Sequence, residues 1–240
     1  APFVKTPTAI TVHDPLQDFN KYVLDQTKAI KNIHLISISN SQRKPNPNLK
    51  YAGTVYNGIN IAKFKFNEKP EDFFVAVGRF VPEKGIDIAV QVAKKAKIKL
   101  KIAGGPDKGP HFEKKIKPYL NKNIEYLGMI NYYQMGELYK RAKGLLYPLR
   151  WEEPFGLVLI ESMACGTPVI AFNRGSMSEI IKDGKTGFIV KNFNGMVGAV
   201  KKIDQIDRRE CRKRVEEEFS IEKMVDGYEK VYYDILRKKS

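Results

Sequence analysis

The sequence predicts an α/β protein in which a doubly wound parallel sheet carries helices on both faces, preceded by part of a second α/β domain. Short apolar runs alternate regularly with segments of helical spacing through the C-terminal two thirds of the chain. Gly, Pro and Asp turns separate these segments. Strands that alternate with helices over short turns are typical of parallel sheets. With 240 residues, 42% of them hydrophobic, the chain can bury a substantial core.

The N-terminal part, residues 1–66, has fewer elements. Its predicted strands are residues 9–12, 33–39 and 54–56, and its predicted helix is residues 16–30. Pro15 suits the start of that helix, and Asp14 suits its cap. Three strands and one helix are too few for an independent doubly wound domain. We therefore predict that this part is the second half of a domain whose first half is missing.

The C-terminal part, residues 67–220, contains the regular alternation and follows a predicted linker at residues 60–72. Its predicted strands are residues 73–77, 100–103, 124–127, 144–147, 168–172 and 187–190. Its predicted helices are residues 84–96, 111–120, 132–142, 156–164 and 177–181. Parallel sheets bind ligands at the carboxyl ends of their strands. The glycine turns after Val77, Ala103 and Leu127 therefore indicate one shared cleft.

The last segment, residues 221–240, contains a predicted amphipathic helix at residues 221–237. Its apolar side needs a partner surface, and we expect it to pack back toward the N-terminal part.

The charge balance narrows the classes of partner. The net charge of +15 attracts nucleotides, polyanions or an anionic membrane surface. Most lysines are dispersed along helices, which favours a solvated surface. The lysines are not interleaved with aromatic residues, and no DNA- or RNA-reading motif is present, so we predict no nucleic-acid partner.

The sequence also indicates a location. No apolar run is long enough to cross a bilayer, and the N-terminus does not resemble a signal peptide. Two cysteines, Cys165 and Cys211, are too few for a disulfide framework or a metal cluster. We expect a cytoplasmic protein, with peripheral binding at a membrane as an open alternative.

The strongest candidate site is the segment that starts at Arg150 and carries Glu153 and Glu161. Pro154 places Glu153 on a loop, and the residues after it begin a helix whose free N–H groups can bind phosphate. Glu161 lies in an apolar helix and needs a partner, such as a ribose diol or a lysine of a neighbouring helix. For Glu153, stabilisation by the helix dipole is the structural alternative. Phosphate and hydroxyl groups together indicate a nucleotide-sugar.

A second candidate is the strand end at Gly78, which is followed by Arg79 and Lys84. Glycine allows close approach of a ligand, and the two cations can neutralise a diphosphate. The alternative is a pair of surface charges in a lysine-rich chain.

Further candidates carry weaker signals. Gly104 and Gly128 end strands and can admit a nucleotide against bare backbone, or they are only tight turns. Met129 follows Gly128 at the same turn. His13 ends a strand of the N-terminal part and can bond a sugar hydroxyl or cap the next helix.

These motifs together resemble family 4 glycosyltransferases, which are retaining enzymes of the GT-B fold. The matching segments stand in order along most of the chain. They are His13-Asp14, residues 36–39, residues 55–60, Gly78-Arg79-Phe80 with Glu83-Lys84-Gly85, residues 103–105, residues 153–157 with Glu161, residues 164–169, and residues 179–181 with 183–188. Single motifs of this kind are common, but the ordered series is specific.

The resemblance implies two Rossmann-like domains and assigns roles to the site. Arg79 and Lys84 would hold the diphosphate of a nucleotide-sugar donor, Glu161 the ribose, and Glu153 the hydroxyls of the transferred sugar. His13 would reach that sugar from the N-terminal domain.

The amides of Phe155, Gly156, Leu157 and Val158 would lie near phosphate and sugar. The family implies no metal and no cofactor beyond the donor. It also implies retention of anomeric configuration by front-face attack.

The resemblance also implies a missing N-terminal segment, since the family has a complete N-terminal domain. This chain would then bind the donor weakly and transfer poorly. A non-catalytic nucleotide-sugar-binding module and a basic nucleic-acid-binding protein are the alternatives. UDP is favoured over GDP on the family's usage, and the acceptor, an alcohol on a sugar, lipid or small molecule, stays unidentified.

Overall fold

The computed structural model describes residues 5–16, 22, 24–106 and 108–237. These residues form two parallel sheets. The smaller has the order β1-β2-β3, and the larger has the order β6-β5-β4-β7-β8-β9. All pairs within both sheets are parallel. The predicted fold class is confirmed.

The smaller sheet consists of β1 Thr8–Val12, β2 Ile33–Ser37 and β3 Tyr51–Thr54. The third strand was predicted at residues 54–56, and this is wrong. Gly53 lowers the strand signal of the true segment, yet a side chain there would collide with Val231 of the C-terminal helix. The glycine that hides the strand from the sequence pattern is therefore the one that lets the helix approach.

The larger sheet lies close to the predicted segments. Its strands are β4 Phe74–Val77, β5 Leu100–Ala103, β6 Ile124–Tyr126, β7 Gly144–Tyr147, β8 Val169–Phe172 and β9 Gly187–Val190. Strand β4 is central and pairs with both β5 and β7. Here the strand order reverses, which is the point where such sheets bind ligands.

The helices connect these strands. They are α1 Asn40–Arg43, α2 Ile86–Ala96, α3 Pro110–Lys115, α4 Tyr132–Arg141, α5 Leu157–Ala164, α6 Met177–Ile180, α7 Phe193–Val200, α8 Arg208–Glu218 and α9 Ile221–Arg237. Short 3-10 turns occur at Gln26–Ala29, Ile61–Lys63, Pro82–Lys84, Lys117–Tyr119 and Ile203–Gln205. No described helix is both long and apolar enough to span a membrane.

Three helix predictions need correction. The helix predicted at residues 84–96 begins at Ile86, because Gly85 takes a left-handed conformation with φ 67°. The helix predicted at residues 111–120 ends at Lys115 and a 3-10 turn follows, because Pro118 has no N–H to donate to the Lys114 carbonyl as a continuing α-helix requires. Much of the helix predicted at residues 16–30 lies outside the described residues; residues 22, 24 and 25 are helical as predicted, and the end at Gln26–Ala29 is a 3-10 turn.

Helix α8 was missed because it has little apolar periodicity. Two arginines fix it to backbone carbonyl groups instead. Arg208 donates to Asn67 O at 2.7 Å and to Ala142 O at 3.1 Å, and Arg212 donates to Ala164 O at 2.8 Å. A hydrophobic pattern cannot reveal a helix that is held by such polar contacts.

The core of the larger sheet lies on both of its faces. Val75 and Val77 face a cluster that α4, α5 and α8 cover, whereas Phe74 and Ala76 face one that α2 and α7 cover. Burial on both sides explains why the strands are continuous apolar runs. The predicted linker is not a free tether, because Phe64 is only 1% exposed and belongs to the first cluster.

Helix α9 packs on the smaller sheet. Its residues Val231 and Ile235 form a buried cluster with Ile36 of β2 and with Val55. Helix α9 thus packs against the N-terminal part, as the sequence predicts. The exact domain bounds given above stay predictions.

Candidate functional site

The glycine turns of three neighbouring strands meet at one edge of the larger sheet. Gly78 follows β4 with φ 153°, and Gly104 follows β5 with φ 134°. A side chain on Gly104 would collide with the Gly78 carbonyl, so these two loops touch through backbone. Gly104 N donates to Gly128 O at 3.0 Å, which adds the turn after β6. A ligand at this edge would meet bare backbone.

Glu153 is a carboxylate at this edge that accepts three side-chain hydrogen bonds on one oxygen. Its Oε2 atom accepts from Lys84 Nζ at 2.7 Å, Tyr147 OH at 3.1 Å and Trp151 Nε1 at 3.1 Å. The Lys84 and Glu153 side chains are only 16% and 13% exposed. The alternative that Lys84 is a solvated surface charge is therefore wrong.

The start of α5 lies directly after Glu153. Gly156 has φ 95°, a conformation that turns the chain from the loop into the helix. Among the described residues, no hydrogen-bond partner occupies the amides of Leu157 and Val158. Ser176 Oγ donates to the Phe155 carbonyl at 2.6 Å, and the Phe155 ring is buried. The helix start is thus fixed in place with free donors.

Glu161 lies in the second turn of α5 in a very different environment. Burial raises its pKa to about 7, and the neighbouring Tyr139 hydroxyl opposes this shift. No charged group among the described residues contributes to that shift, so the lysine partner considered above does not form. The Tyr139 hydroxyl is itself fully buried and makes no well-formed hydrogen bond with any described residue. This carboxylate is half-buried and has no ion-pair partner among the described residues.

The remaining predicted site residues lie on the surface. Arg79 and His13 are exposed, and neither forms a hydrogen bond or ion pair with any other described residue. Met129 is 79% exposed beside Gly128, which has φ 77°. The structure thus brings Lys84, Glu153 and the start of α5 together, whereas Arg79, Met129 and His13 are exposed side chains.

The two sheets meet beside Glu153. A narrow crevice there is lined on one side by Leu16, Ser41 and Gln42, and on the other by Glu152, Glu153, Pro154 and Gly175. The site therefore faces the smaller sheet across a shared boundary.

A third carboxylate, Glu179, joins the two sheets. It accepts from the backbone amides of Asn40 and Ser41 at 2.8 and 2.7 Å and from Tyr56 OH at 2.9 Å. Burial, followed by this bond to Glu179, raises the pKa of Tyr56 to about 12. Glu179 fits the start of α1, where backbone N–H groups lack helical partners.

Sequence reasoning missed Tyr147, Trp151 and Tyr139. Trp151 is the only tryptophan of the chain and lies close to Glu153 in sequence, which was a usable signal. Tyr147 and Tyr139 reach the site from β7 and α4, and no local pattern marks them.

Two further findings bear on ligands. Within the described ranges, no three His, Cys, Asp or Glu side chains are placed to hold a metal ion.

A separate cavity of about 870 Å³ lies between the starts of α2 and α7, and Asp87, Arg150 and Arg174 line part of it. It contains neither Glu153 nor Glu161.

Comparison with known proteins first defines a class. Sucrose-phosphate synthase from Thermosynechococcus elongatus matches over 96% of this chain and 68% of its own, with a TM-score of 0.79 and 23% identity. Anabaena HepE, solved with UDP and glucose, matches over 95% of this chain and 71% of its own, with a TM-score of 0.80 and 16% identity. The fold is that of the GT-B glycosyltransferases.

The family follows from the sequence comparison. The family described as glycosyl transferases group 1 matches residues 59–218, which is more than half of the chain. The chain belongs to this family.

Individual relatives are longer than this chain. The uncharacterized glycosyltransferase MJ1178 of Methanocaldococcus jannaschii is 34% identical over an alignment of 192 positions that covers 75% of this chain and 53% of the relative. N-acetyl-alpha-D-glucosaminyl L-malate synthase of Bacillus anthracis is 29% identical over a gapped alignment of 262 positions that covers 96% of this chain and 66% of the relative. The chain thus spans about half to two thirds of the length of these curated relatives.

Proposed function

We propose that this chain carries the donor site of a retaining glycosyltransferase of family 4, which moves a hexose from a nucleoside diphosphate sugar to an alcohol. The observation that carries the proposal is the Lys84–Glu153 pair at the start of α5, with Glu161 one to two turns along the same helix. Cation, free amides and two carboxylates are the groups that a diphosphate, a sugar and a ribose require.

The diphosphate would bind at the start of α5. The amides of Leu157 and Val158 supply two donors there, and Lys84 supplies a cation. In the structure Lys84 Nζ lies 2.7 Å from Glu153 Oε2. When the donor binds, this ammonium group would leave the carboxylate and bind phosphate oxygens instead. The exposed Arg79 would add a second cation from the loop after β4.

The ribose would bind at Glu161. An ionised carboxylate can accept both hydroxyls of a ribose diol, which repays its desolvation. The loops at Gly104 and Gly128–Met129 would hold the base, since both present backbone at the same edge. Glu153 would accept hydroxyls of the transferred sugar, and His13 would approach that sugar from the smaller sheet.

The transfer step breaks the bond between the anomeric carbon and the diphosphate oxygen. A bond forms between that carbon and the acceptor oxygen on the same face, and the acceptor proton passes to the leaving phosphate. Lys84, Arg79 and the helix start would stabilise the charge that develops on the diphosphate. Proton NMR of the first-formed product tests retention, and unchanged turnover in excess EDTA tests the proposed metal independence.

UDP is the first nucleotide to test and GDP the second. This order follows the nucleotide usage of the family that the sequence resembles; HepE, which was solved with UDP and glucose, shares the fold. The acceptor would be a sugar, a lipid or a small molecule, and sedimentation with anionic lipid vesicles tests the membrane alternative.

A non-catalytic donor-binding module is the second candidate. Binding without turnover would support it.

The deciding experiment is isothermal calorimetry of the chain with UDP-, GDP- and ADP-sugars. We expect one series to bind and Glu161→Ala to weaken that binding about tenfold. Glu113→Ala, which removes an exposed carboxylate paired with Lys117, is the matched control and should bind as the wild type does. Failure of every nucleotide to bind would contradict the proposal.

A further inference from the structure

The bonds at Glu153 are distributed unequally between its two oxygens. Lys84, Tyr147 and Trp151 all donate to Oε2, and no described residue donates to Oε1. A carboxylate offers about four acceptor positions. One oxygen is therefore saturated by protein donors, while the other keeps its capacity for a ligand.

The three donors differ in charge and in freedom. Tyr147 ends β7 and is 4% exposed, so its hydroxyl is fixed by the sheet. The indole of Trp151 follows on the next loop, and Lys84 lies 4.6 Å from the centre of its ring. Lysine is a flexible point charge that a diphosphate can attract, whereas the other two donors are neutral and have no such alternative partner.

We propose that Tyr147 and Trp151 are positioning residues that hold Oε2 of Glu153, so that Oε1 faces the transferred sugar after Lys84 has moved to the diphosphate. This inference rests on the proposed donor site. A half-buried carboxylate that lost its only cation would otherwise be desolvated without compensation and free to rotate. Two neutral hydrogen bonds keep its Oε2 atom in place.

The test compares two ligands on the full 240-residue chain. UDP carries the diphosphate alone, and UDP-glucose adds the sugar; GDP and GDP-mannose form the second pair. Trp151→Phe and Tyr147→Phe each remove one donor and keep an aromatic ring. We expect each variant to bind UDP-glucose about tenfold more weakly and to bind UDP within about twofold of the wild type.

Tyr233→Phe on α9 is the matched control, because Tyr233 is 61% exposed and distant in sequence from the site. If a variant binds both ligands equally more weakly, the residue has a merely structural role. If a variant binds both ligands as the wild type does, the residue does not position Glu153. Either result would overturn the proposal. If Tyr147→Phe does not fold, Trp151→Phe gives the same comparison from a partly exposed position. Wild-type chain that binds neither nucleotide pair would instead contradict the donor site itself.

The single tryptophan gives an independent readout. Transfer of Lys84 to the diphosphate removes a cation from the Trp151 ring, so UDP should change the fluorescence of the wild type. The Lys84→Met variant should show, without any ligand, the Trp151 emission that the wild type shows with UDP. Addition of UDP should then leave its emission unchanged. Calorimetric binding of UDP with no change in emission would show that Lys84 stays on Glu153 and would overturn the lysine transfer.

Discussion

The loop before α5 and the middle of α5 place their carboxylates in opposite surroundings. Glu153 on the loop receives three donors on one oxygen, whereas Glu161 in the helix receives no charged partner from the described residues and has a pKa raised to about 7. The first group is positioned before any ligand binds. In the proposed donor site the second would gain its partner from the ligand, so its ionisation and ligand binding would be linked.

The largest effect in this comparison should come from Lys84→Met. This change removes the cation for the diphosphate and also leaves Glu153 without its charged partner. We expect calorimetry to show about hundredfold weaker binding of the nucleotide-sugar. Lys117→Met, which breaks an exposed ion pair with Glu113, is the control and should bind normally. Equal affinities of both variants would show that the Lys84 pair is only structural.

The next effect concerns Glu179, a third carboxylate that accepts four hydrogen bonds and belongs to no proposed ligand contact. Glu179→Ala leaves the amides of Asn40 and Ser41 and the Tyr56 hydroxyl without their acceptor. We expect urea unfolding to show a loss of about 2 kcal/mol, with UDP affinity unchanged. Glu229→Ala, on the surface of α9, should alter neither quantity. A loss of UDP affinity in Glu179→Ala would place this residue in the site.

The third effect is the pH dependence set by Glu161. Because the pKa of its free carboxyl is about 7, the ionised form that can accept a ribose diol grows as pH rises through this value. Affinity for UDP-glucose should therefore rise about tenfold between about pH 6 and about pH 8. The phosphates of UDP-glucose do not titrate there, and burial holds the pKa values of Tyr139 and Tyr147 well above this range. Glu161→Gln should bind weakly with a much flatter profile, and an unchanged slope would assign the effect to another group.

The stability of the free protein should change in the opposite direction. Since the folded-state pKa of Glu161 is higher than the ordinary carboxyl value of 4.5, its contribution to the free energy of unfolding is fully present below about pH 4.5 and is lost as pH rises through about 7. Urea unfolding of wild type and Glu161→Gln at several pH values checks this, and a stability difference that does not vary with pH would contradict it.

The smallest effect should come from Arg79→Ala. Arg79 is exposed and lies at the rim of the site, so its attraction for a diphosphate is screened by solvent. We expect about threefold weaker UDP binding at low salt, a smaller difference at high salt, and unchanged thermal stability. A loss as large as that of Lys84→Met would mean that Arg79 moves into the site with the ligand.

The sequence predicts the larger sheet well, because its strands are apolar runs that are buried on both faces. It predicts β3 poorly because Gly53, which weakens the strand pattern, is needed for the close approach of α9. It misses α8 because Arg208 and Arg212 attach that helix by donating hydrogen bonds to backbone carbonyl groups. Local patterns report apolar burial, so elements that depend on close backbone approach or on polar contacts escape them.

The same limit applies to the site. Lys84 and Glu153 could be assigned to one edge from strand order alone, although their direct bond could not. The donors from Tyr147 and Trp151 depend on how the loop after β7 folds back, and the position of Tyr139 beside Glu161 depends on the packing of α4 against α5. These are tertiary contacts, and no spacing in the sequence records them.

The most direct test of the donor site is a crystal structure of the chain with UDP. We predict the diphosphate at the amides of Leu157 and Val158, with Lys84 Nζ moved from Glu153 to a phosphate oxygen and Glu161 on the ribose. UDP bound elsewhere, for example in the cavity lined by Asp87, Arg150 and Arg174, with the 2.7 Å Lys84–Glu153 bond intact, would contradict the account.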